Sequence, residues 1–282
     1  GGTHDFITER AGELGLSYTL VDAQRPESWA AAVRPETKLF LVETISNPLI
    51  RVPPLDEVVT FARARKLVTA IDNTFATPLV FPAVRFGFDL SLHSCTKYLN
   101  GHSDLVAGAV VGSAELVKRV RHRAAHLGGA LDPHACFLLE RGLKTLGVRL
   151  RHQMASSARI ARFLTGSPAI TRVHHPGLPE HPHHALAKRD LQGFGAMLSF
   201  EVKGDVARAD DFLRRLAIPV NAPSLGGVES LVTRPATTSH SGMSAADRRA
   251  AGVSDNLVRL SVGIEDPDDL IEDLEQALRI GQ

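Results

Sequence analysis

The 282-residue sequence is poor in cysteine, tryptophan, tyrosine and methionine, with two, one, two and three residues of each. Cys95 and Cys136 are too few for a disulfide framework, so a reducing, cytoplasmic setting is expected. No apolar run reaches the roughly 18 residues that a membrane span needs. The opening GGTHDFITERAGELG lacks the basic-then-apolar order of a secretory signal, and it also lacks an initiator Met. Charge of one sign is not in excess: 32 basic and 31 acidic residues leave a formal net charge of +1. The signs are interspersed, which gives no reason to expect a nucleic-acid or anionic-membrane partner. No solenoid or propeller period is present.

What is present is enough apolar material, 44% of residues, for a sizeable core. The first half alternates buried-strand runs with helical spacing. Strands are predicted at Lys38–Glu43, Leu67–Ile71, Phe88–His93 and Val106–Val111. Leu55, Val58, Val59 and Ala62 set the helical period between the first two. Helices are predicted at Glu115–His126, His134–Leu146 and Arg149–Leu164, the last as a long connector. Beyond Gly166–Ser167–Pro168 the pattern is one of short strands (Ile170–Val173, Ala196–Val202, Leu257–Val262) and helices (Ala207–Leu216, Asp268–Leu278). The expected fold is therefore α/β: a mostly parallel sheet with helices on both faces over residues 1–155, then a smaller α/β domain over 156–282.

Three segments carry chemistry: VETISNPLIRV (Val42–Val52), TAIDNTFATP (Thr69–Pro78) and SLHSCTKYLNGHSD (Ser91–Asp104). Each follows a predicted strand, where ligand sites of open parallel sheets form. Asp72 ends an apolar run, and a buried carboxylate needs a cationic partner. The ring nitrogen of a pyridoxal cofactor is one candidate, because a carboxylate keeps that nitrogen protonated. Capping of the turn at Asn73–Thr74 is the other, and position alone leaves both open. Lys97 is placed where partial burial makes an amine nucleophilic toward an aldehyde. An ordinary lysine with its ammonium in water is the commoner reading of such a residue in isolation. Ser94 and Thr96 flank it with hydroxyls suited to a phosphate, and Gly101 follows.

SCTKYLNGHSD, AIDNTF, VETISNP, GFGAMLSFE and the C-terminal run from SLGGVES through LVRLSVGIED to DLEQAL resemble the cystathionine γ-synthase and γ-lyase family. The resemblance runs in order from Gly1 to the C-terminus. It implies a fold type I pyridoxal-phosphate enzyme with Lys97 as the lysine that carries the cofactor and shuttles protons. Asp72 then pairs with the ring nitrogen, Ser94 and Thr96 bind the phosphate, and Asn47 lies near the cofactor hydroxyl and the substrate carboxylate. Arg259 is similar to the arginine that grips the substrate α-carboxylate, a role its planar fork suits. Ser224 matches the serine whose backbone lies beside the substrate. The resemblance also implies amino-acid substrates, a homotetramer built from close dimers, and roughly a hundred residues preceding Gly1. Those residues would supply a stacking tyrosine, a Gly–Met phosphate turn and an arm to the neighbouring site.

Thr233 stands where lyases of the family carry an acidic residue. That favours γ-replacement of an O-acylhomoserine by cysteine to give cystathionine. The γ-lyase reaction is the alternative, and a non-catalytic remnant is the alternative of another class. Four other features are set aside. The run His174–His184 (HHPGLPEHPHH) has three prolines and no nearby cysteine, and reads as a surface loop rather than a metal site. Cys95 reads as a small buried residue. Gly226–Gly227 does not fit the dinucleotide fingerprint. Lys118, Arg119, Arg121 and Arg123 read as a solvated helix face.

Overall fold

A computed structural model describes residues 2–279. The first sheet has four strands in the order β1-β2-β3-β4: β1 (Leu39–Glu43), β2 (Val68–Asp72), β3 (Leu90–Ser94) and β4 (Gly108–Gly112). β1, β2 and β3 run parallel, and β4 returns antiparallel to β3. The crossover between β1 and β2 is the helix Leu55–Ala64, which buries Leu55, Val58, Val59 and Ala62. That is the face its spacing predicts. Pro53 and Pro54 precede it and cannot extend it backward. Trp29, Phe40 and Phe61 meet edge to face, with centroids 5.1–5.7 Å apart, at the N-terminal side of this sheet.

The second sheet has the order β5-β6-β9-β8-β7: β5 (Ile170–His174), β6 (Met197–Val202), β7 (Val220–Asn221), β8 (Leu231–Thr233) and β9 (Leu257–Ser261). Its core joins Leu198, Phe200, Val258 and Leu260 to the helices Val206–Arg215 and Pro267–Leu278, through Phe212, Leu270 and Leu274. Each such side chain contributes on the order of 1.5–3 kcal/mol by leaving water. Asp205 and Asp266 cap these two helices by accepting backbone N–H bonds. The 20-residue helix Leu146–Thr165 links the sheets. Its first half packs Leu146 and Leu150 into the first core; Ile160, Ala161 and Leu164 enter the second. No helix among the described residues is long and apolar enough to cross a membrane.

Two sequence expectations need correction, and two short strands were not anticipated. β2 continues through Asp72, so the carboxylate ends the strand instead of following it. β7 and β8 have two and three residues, too few for a period to show. The histidine-rich run is not a surface loop: His174, His175 and His181 are buried. Three rings of the run serve the backbone. His175 Nδ1 accepts from the Gly177 N–H at 3.1 Å, His181 Nδ1 from His183 at 3.2 Å, and His183 Nδ1 from Val52 at 3.1 Å. The prolines shape a packed connection whose polar backbone the imidazoles satisfy. Among the described residues no group of three or more His, Cys, Asp or Glu could hold a metal ion. Gly1 and residues 280–282, the outer ends of the two predicted domains, lie outside the described residues.

Candidate active site

The carboxyl ends of β1, β2 and β3 place Glu43, Asp72 and Ser94 side by side. Glu43 and Asp72 are direct register partners on parallel strands. Asp72 Oδ1 accepts from the Thr74 N–H at 3.0 Å and the Thr74 hydroxyl at 2.6 Å. Thr74 Oγ1 in turn accepts from the Ser94 N–H at 2.9 Å. The structure shows the turn-capping reading of Asp72 and leaves room for the other: one oxygen caps the turn, and the other makes no hydrogen bond among the described residues. Turn capping fixes the carboxylate and leaves an oxygen for a cationic ring nitrogen.

Glu43 is a residue that sequence reasoning missed. Glu43 is exposed at the strand end, and partial loss of hydration there, with the charge of Asp72 beside it, raises its carboxyl pKa. Only the strand register brings the two carboxylates together. His93, one residue before Ser94, is buried, and its Nε2 lies 2.9 Å from Ser91 Oγ. Burial holds its pKa below the ordinary histidine value, although the charge of Asp72 opposes that shift.

Lys97 sits on the turn after β3. Its backbone N–H bonds to Ser94 O at 3.2 Å and its carbonyl accepts from Gly101 N at 2.8 Å. The side chain is half-buried, and Nζ donates to Ser224 Oγ at 2.7 Å. Burial lowers the pKa of this amine, and the nearby charge of Arg259 lowers it further. Ser224 has φ +89°, in the left-handed region that non-glycine residues rarely adopt. Such a conformation costs on the order of 1–3 kcal/mol and persists only where its surroundings impose it. Here it aims the hydroxyl at Lys97 and the carbonyl at Arg259. The sequence reading gave Ser224 only a backbone role; the side chain has one as well.

Arg259, in β9, is 5% exposed. Its two terminal nitrogens donate to Asn47 Oδ1 at 2.9 Å and to Ser224 O at 2.8 Å, and its buried Nε has no partner. Burial pushes its pKa down to about 10. No carboxylate faces this guanidinium among the described ion pairs, and an isolated buried cation is costly. The arrangement leaves the guanidinium able to take up an anion. Lys97, Ser224, Arg259 and Asn47 thus form one connected polar chain, drawn from four distant parts of the sequence.

Ser94 and Thr96 lie on the other side of the Lys97 turn. Thr96 Oγ1 accepts from the Ala107 N–H at 3.0 Å, and its own donation to Ala107 O is a long 3.4 Å. Its proton is thus only weakly engaged. A cleft of about 570 Å³ opens here, lined by Thr96, Ser103, Ser224 and Glu229 among others. A smaller cleft of about 280 Å³, at Arg63, Lys66 and Asp89, lies by the opposite ends of the strands, away from Lys97. Cys95 is buried and its thiol is pushed up by that burial, which suits packing and not nucleophilic attack. Thr233 is the ladder partner of Arg259 and shares its face of the sheet. It is buried, and its hydroxyl donates to Thr238 Oγ1 at 3.2 Å.

These residues fit pyridoxal phosphate: a lysine of depressed pKa for the aldehyde, a carboxylate with a spare oxygen for the ring nitrogen, and hydroxyls beside the lysine for the phosphate. The family model for Cys/Met metabolism PLP-dependent enzymes matches residues 1–279. The chain is 41% identical over 277 residues to a cystathionine gamma-synthase of Arabidopsis thaliana, covering 98% of this chain and 49% of that protein. It is also 41% identical over 279 residues to a cystathionine beta-lyase of Lactococcus lactis, covering 99% of this chain and 73% of that one. A solved cystathionine gamma-lyase from Micromonospora echinospora superposes with a TM-score of 0.94 at 40% identity, covering 98% of this chain and 73% of that structure. The chain therefore spans about half to three quarters of the length of these relatives. The match across all but its last three residues, together with the lysine, carboxylate and arginine just described, shows that this chain belongs to the Cys/Met metabolism PLP-dependent enzyme family.

Proposed function

We propose that the protein carrying this chain replaces the acyloxy group of an O-acylhomoserine with the sulfur of cysteine, giving cystathionine. The observation that carries the amino-acid reading is the buried Arg259, held by two neutral oxygens with no carboxylate opposite among the described residues. A substrate α-carboxylate supplies the missing charge. When bound, pyridoxal phosphate supplies the electron sink that lets a proton leave the substrate Cα.

The chain's residues do the rest. Asp72 would face the ring nitrogen with its spare oxygen and favour that nitrogen's protonated form, while Thr74 keeps the carboxylate from turning. Ser94 and Thr96 offer hydroxyls to the phosphate. Arg259 and Asn47 orient the substrate carboxylate. Lys97 would hold the cofactor's aldehyde, and its amine of lowered pKa is placed to take the Cα proton and to move protons toward Cγ as the acyloxy group leaves. Ser224 accepts from Lys97 and fixes which way its amine points. In the net reaction a C–O bond at Cγ breaks, a C–S bond forms, and the thiol proton leaves with the carboxylate product.

Thr233 favours replacement over elimination, because no carboxylate at that position can act on the departing sulfur. γ-Elimination of cystathionine is the second reading, and the solved structure named a gamma-lyase, at 40% identity, favours it. Incubation of the full-length protein with O-succinyl- or O-acetylhomoserine and cysteine decides between them. The proposal expects cystathionine. Formation of 2-oxobutanoate from added cystathionine, with no cystathionine made, would overturn it.

The proposal includes the division of labour between residues 1–155 and 156–282, a cytoplasmic location and a homotetramer. The helix Ala114–His126 buries none of its residues, and Leu127, Phe137 and Val148 are 85%, 58% and 68% exposed. A partner subunit would cover such an apolar surface. Sedimentation of the full-length protein as a monomer would count against the tetramer.

A further inference from the structure

The long helix Leu146–Thr165 carries polar residues on the face it buries. Arg149, Gln153 and Ser157 recur every fourth residue, so they form one stripe. Their relative exposures are 5%, 0% and 0%. A buried stripe of this kind is costly unless every donor reaches a partner. The partners are what set it apart.

Arg149 has no carboxylate opposite it among the described ion pairs. It spends its donors on carbonyls: Nη1 to Tyr98 O at 3.0 Å, and Nη2 to Asn100 O at 3.3 Å and Gly142 O at 2.9 Å. Nε donates to Thr145 Oγ1 at 3.0 Å. Tyr98 and Asn100 belong to the turn that carries Lys97. The fit leaves no slack, since a Cβ on Gly101 would lie 2.0 Å from Arg149 Nη1 and one on Gly142 would lie 2.3 Å from Asn100 O.

One turn further along, Gln153 Nε2 donates to Gly227 O at 2.7 Å and to Val262 O at 3.0 Å. Gly227 closes the loop that begins at Ser224, and Val262 follows the strand that bears Arg259. The two segments also meet directly. Gly226 N–H donates to Ser261 Oγ at 2.8 Å, and a Cβ on Gly226 would press on Tyr98 N at 2.8 Å. The same helix face therefore grips both ends of the Lys97–Ser224 hydrogen bond through main-chain carbonyls. Neither Arg149 nor Gln153 touches the reacting atoms.

We infer that Arg149 and Gln153 are positioning residues: they form a strut that fixes Lys97 relative to Ser224 and Arg259. Gln153 holds the loop of Ser224 and the strand end of Arg259, and Arg149 holds the turn of Lys97. An amine that must attack an aldehyde and then carry a proton depends on such placement, because an error of about 1 Å can cost roughly a hundredfold in rate. The inference rests on the proposed role of Lys97 with pyridoxal phosphate.

The test compares the full-length protein with Gln153→Met, which keeps the length of the side chain and removes both donors. Ser157→Ala is the control. Its hydroxyl donates to Gly195 O at 3.0 Å and to Met154 O, away from the Lys97 turn and the Ser224 loop. Four quantities are measured: the rate at which apo protein takes up pyridoxal phosphate in a borohydride-trappable form, kcat, KM, and the apo melting temperature. Gln153→Met is expected to slow both uptake and kcat at least about tenfold, with KM changed less than about threefold. Ser157→Ala is expected to lower only the melting temperature. If Gln153→Met does not fold, Arg149→Lys, which keeps the charge and loses the fork, carries the same expectation. Uptake and kcat within about twofold of wild type would overturn the inference, whatever the melting temperature does. Absence of trappable cofactor in the wild-type protein would instead overturn the reading on which it rests.

Discussion

Arg259 keeps a positive charge in a buried place with only two neutral oxygens for company. Under the proposed function, the charge it pairs with arrives with the substrate. Truncating it removes a charge-assisted pair of hydrogen bonds, on the order of 3 kcal/mol. Arg259→Ala should therefore lower kcat/KM about a hundredfold, with most of the loss in KM, in steady-state assays of the full-length protein. A loss confined to kcat would assign the residue a different task. The candidate residues Lys97, Asp72, Ser94, Thr96, Asn47, Ser224 and Arg259 can all be named from the sequence, but for unequal reasons. Lys97 and Asp72 stand out locally, as charged groups at the ends of apolar runs. Arg259 lies in an unremarkable strand, and only the family resemblance raised it. Glu43 and Thr74 escaped notice because their significance is relational. Glu43 gains its neighbour through strand register, and Thr74 serves by holding Asp72 and Ser94 at once.

At the scale of elements, the strands ahead of the three motifs were readable because apolar runs bounded by polar turns leave little ambiguity. The histidine-rich connection was not readable. Its prolines and charges-in-waiting suggested solvent, and the decisive fact is that its rings accept backbone N–H bonds. An imidazole nitrogen that accepts such a bond must be unprotonated. Burial pushes His175 down to about 4, and burial together with the neighbouring histidines pushes His181 down to about 3. The unfolded chain protonates these groups near 6.5. It therefore takes up protons first as pH falls, and stability present above about 6.5 is lost toward 4. At pH 5 the loss is on the order of 2 kcal/mol for each of the two. Thermal unfolding should show the melting temperature falling between pH 6.5 and 5, with a shallower fall in His175→Gln. A melting temperature that stays level over this range would contradict the account. The polar stripe of the helix Leu146–Thr165 was equally hidden. Arg149, Gln153 and Ser157 have the spacing of a face, but only the packed structure shows that this face is the buried one.

Across the whole molecule, the site is assembled from residues 43 to 259, so neither sheet contains it alone. The first sheet brings Asp72 and the Lys97 turn; the second brings Arg259 and the Ser224 loop. Residues beyond those of this chain complete the relatives, which it spans by only half to three quarters. Relatives whose names describe replacement and elimination stand at the same 40–41% identity, so overall similarity does not choose the reaction. What they share is the cofactor, and the claim common to both readings is that it is carried on Lys97. The direct test is to load the full-length protein with pyridoxal phosphate, reduce it with borohydride and locate the modified peptide by mass spectrometry. The account predicts that the label sits on Lys97 and that Lys97→Ala neither shows the absorbance band near the visible–ultraviolet edge nor takes up label. A label on another lysine, or an undiminished band in Lys97→Ala, would contradict it.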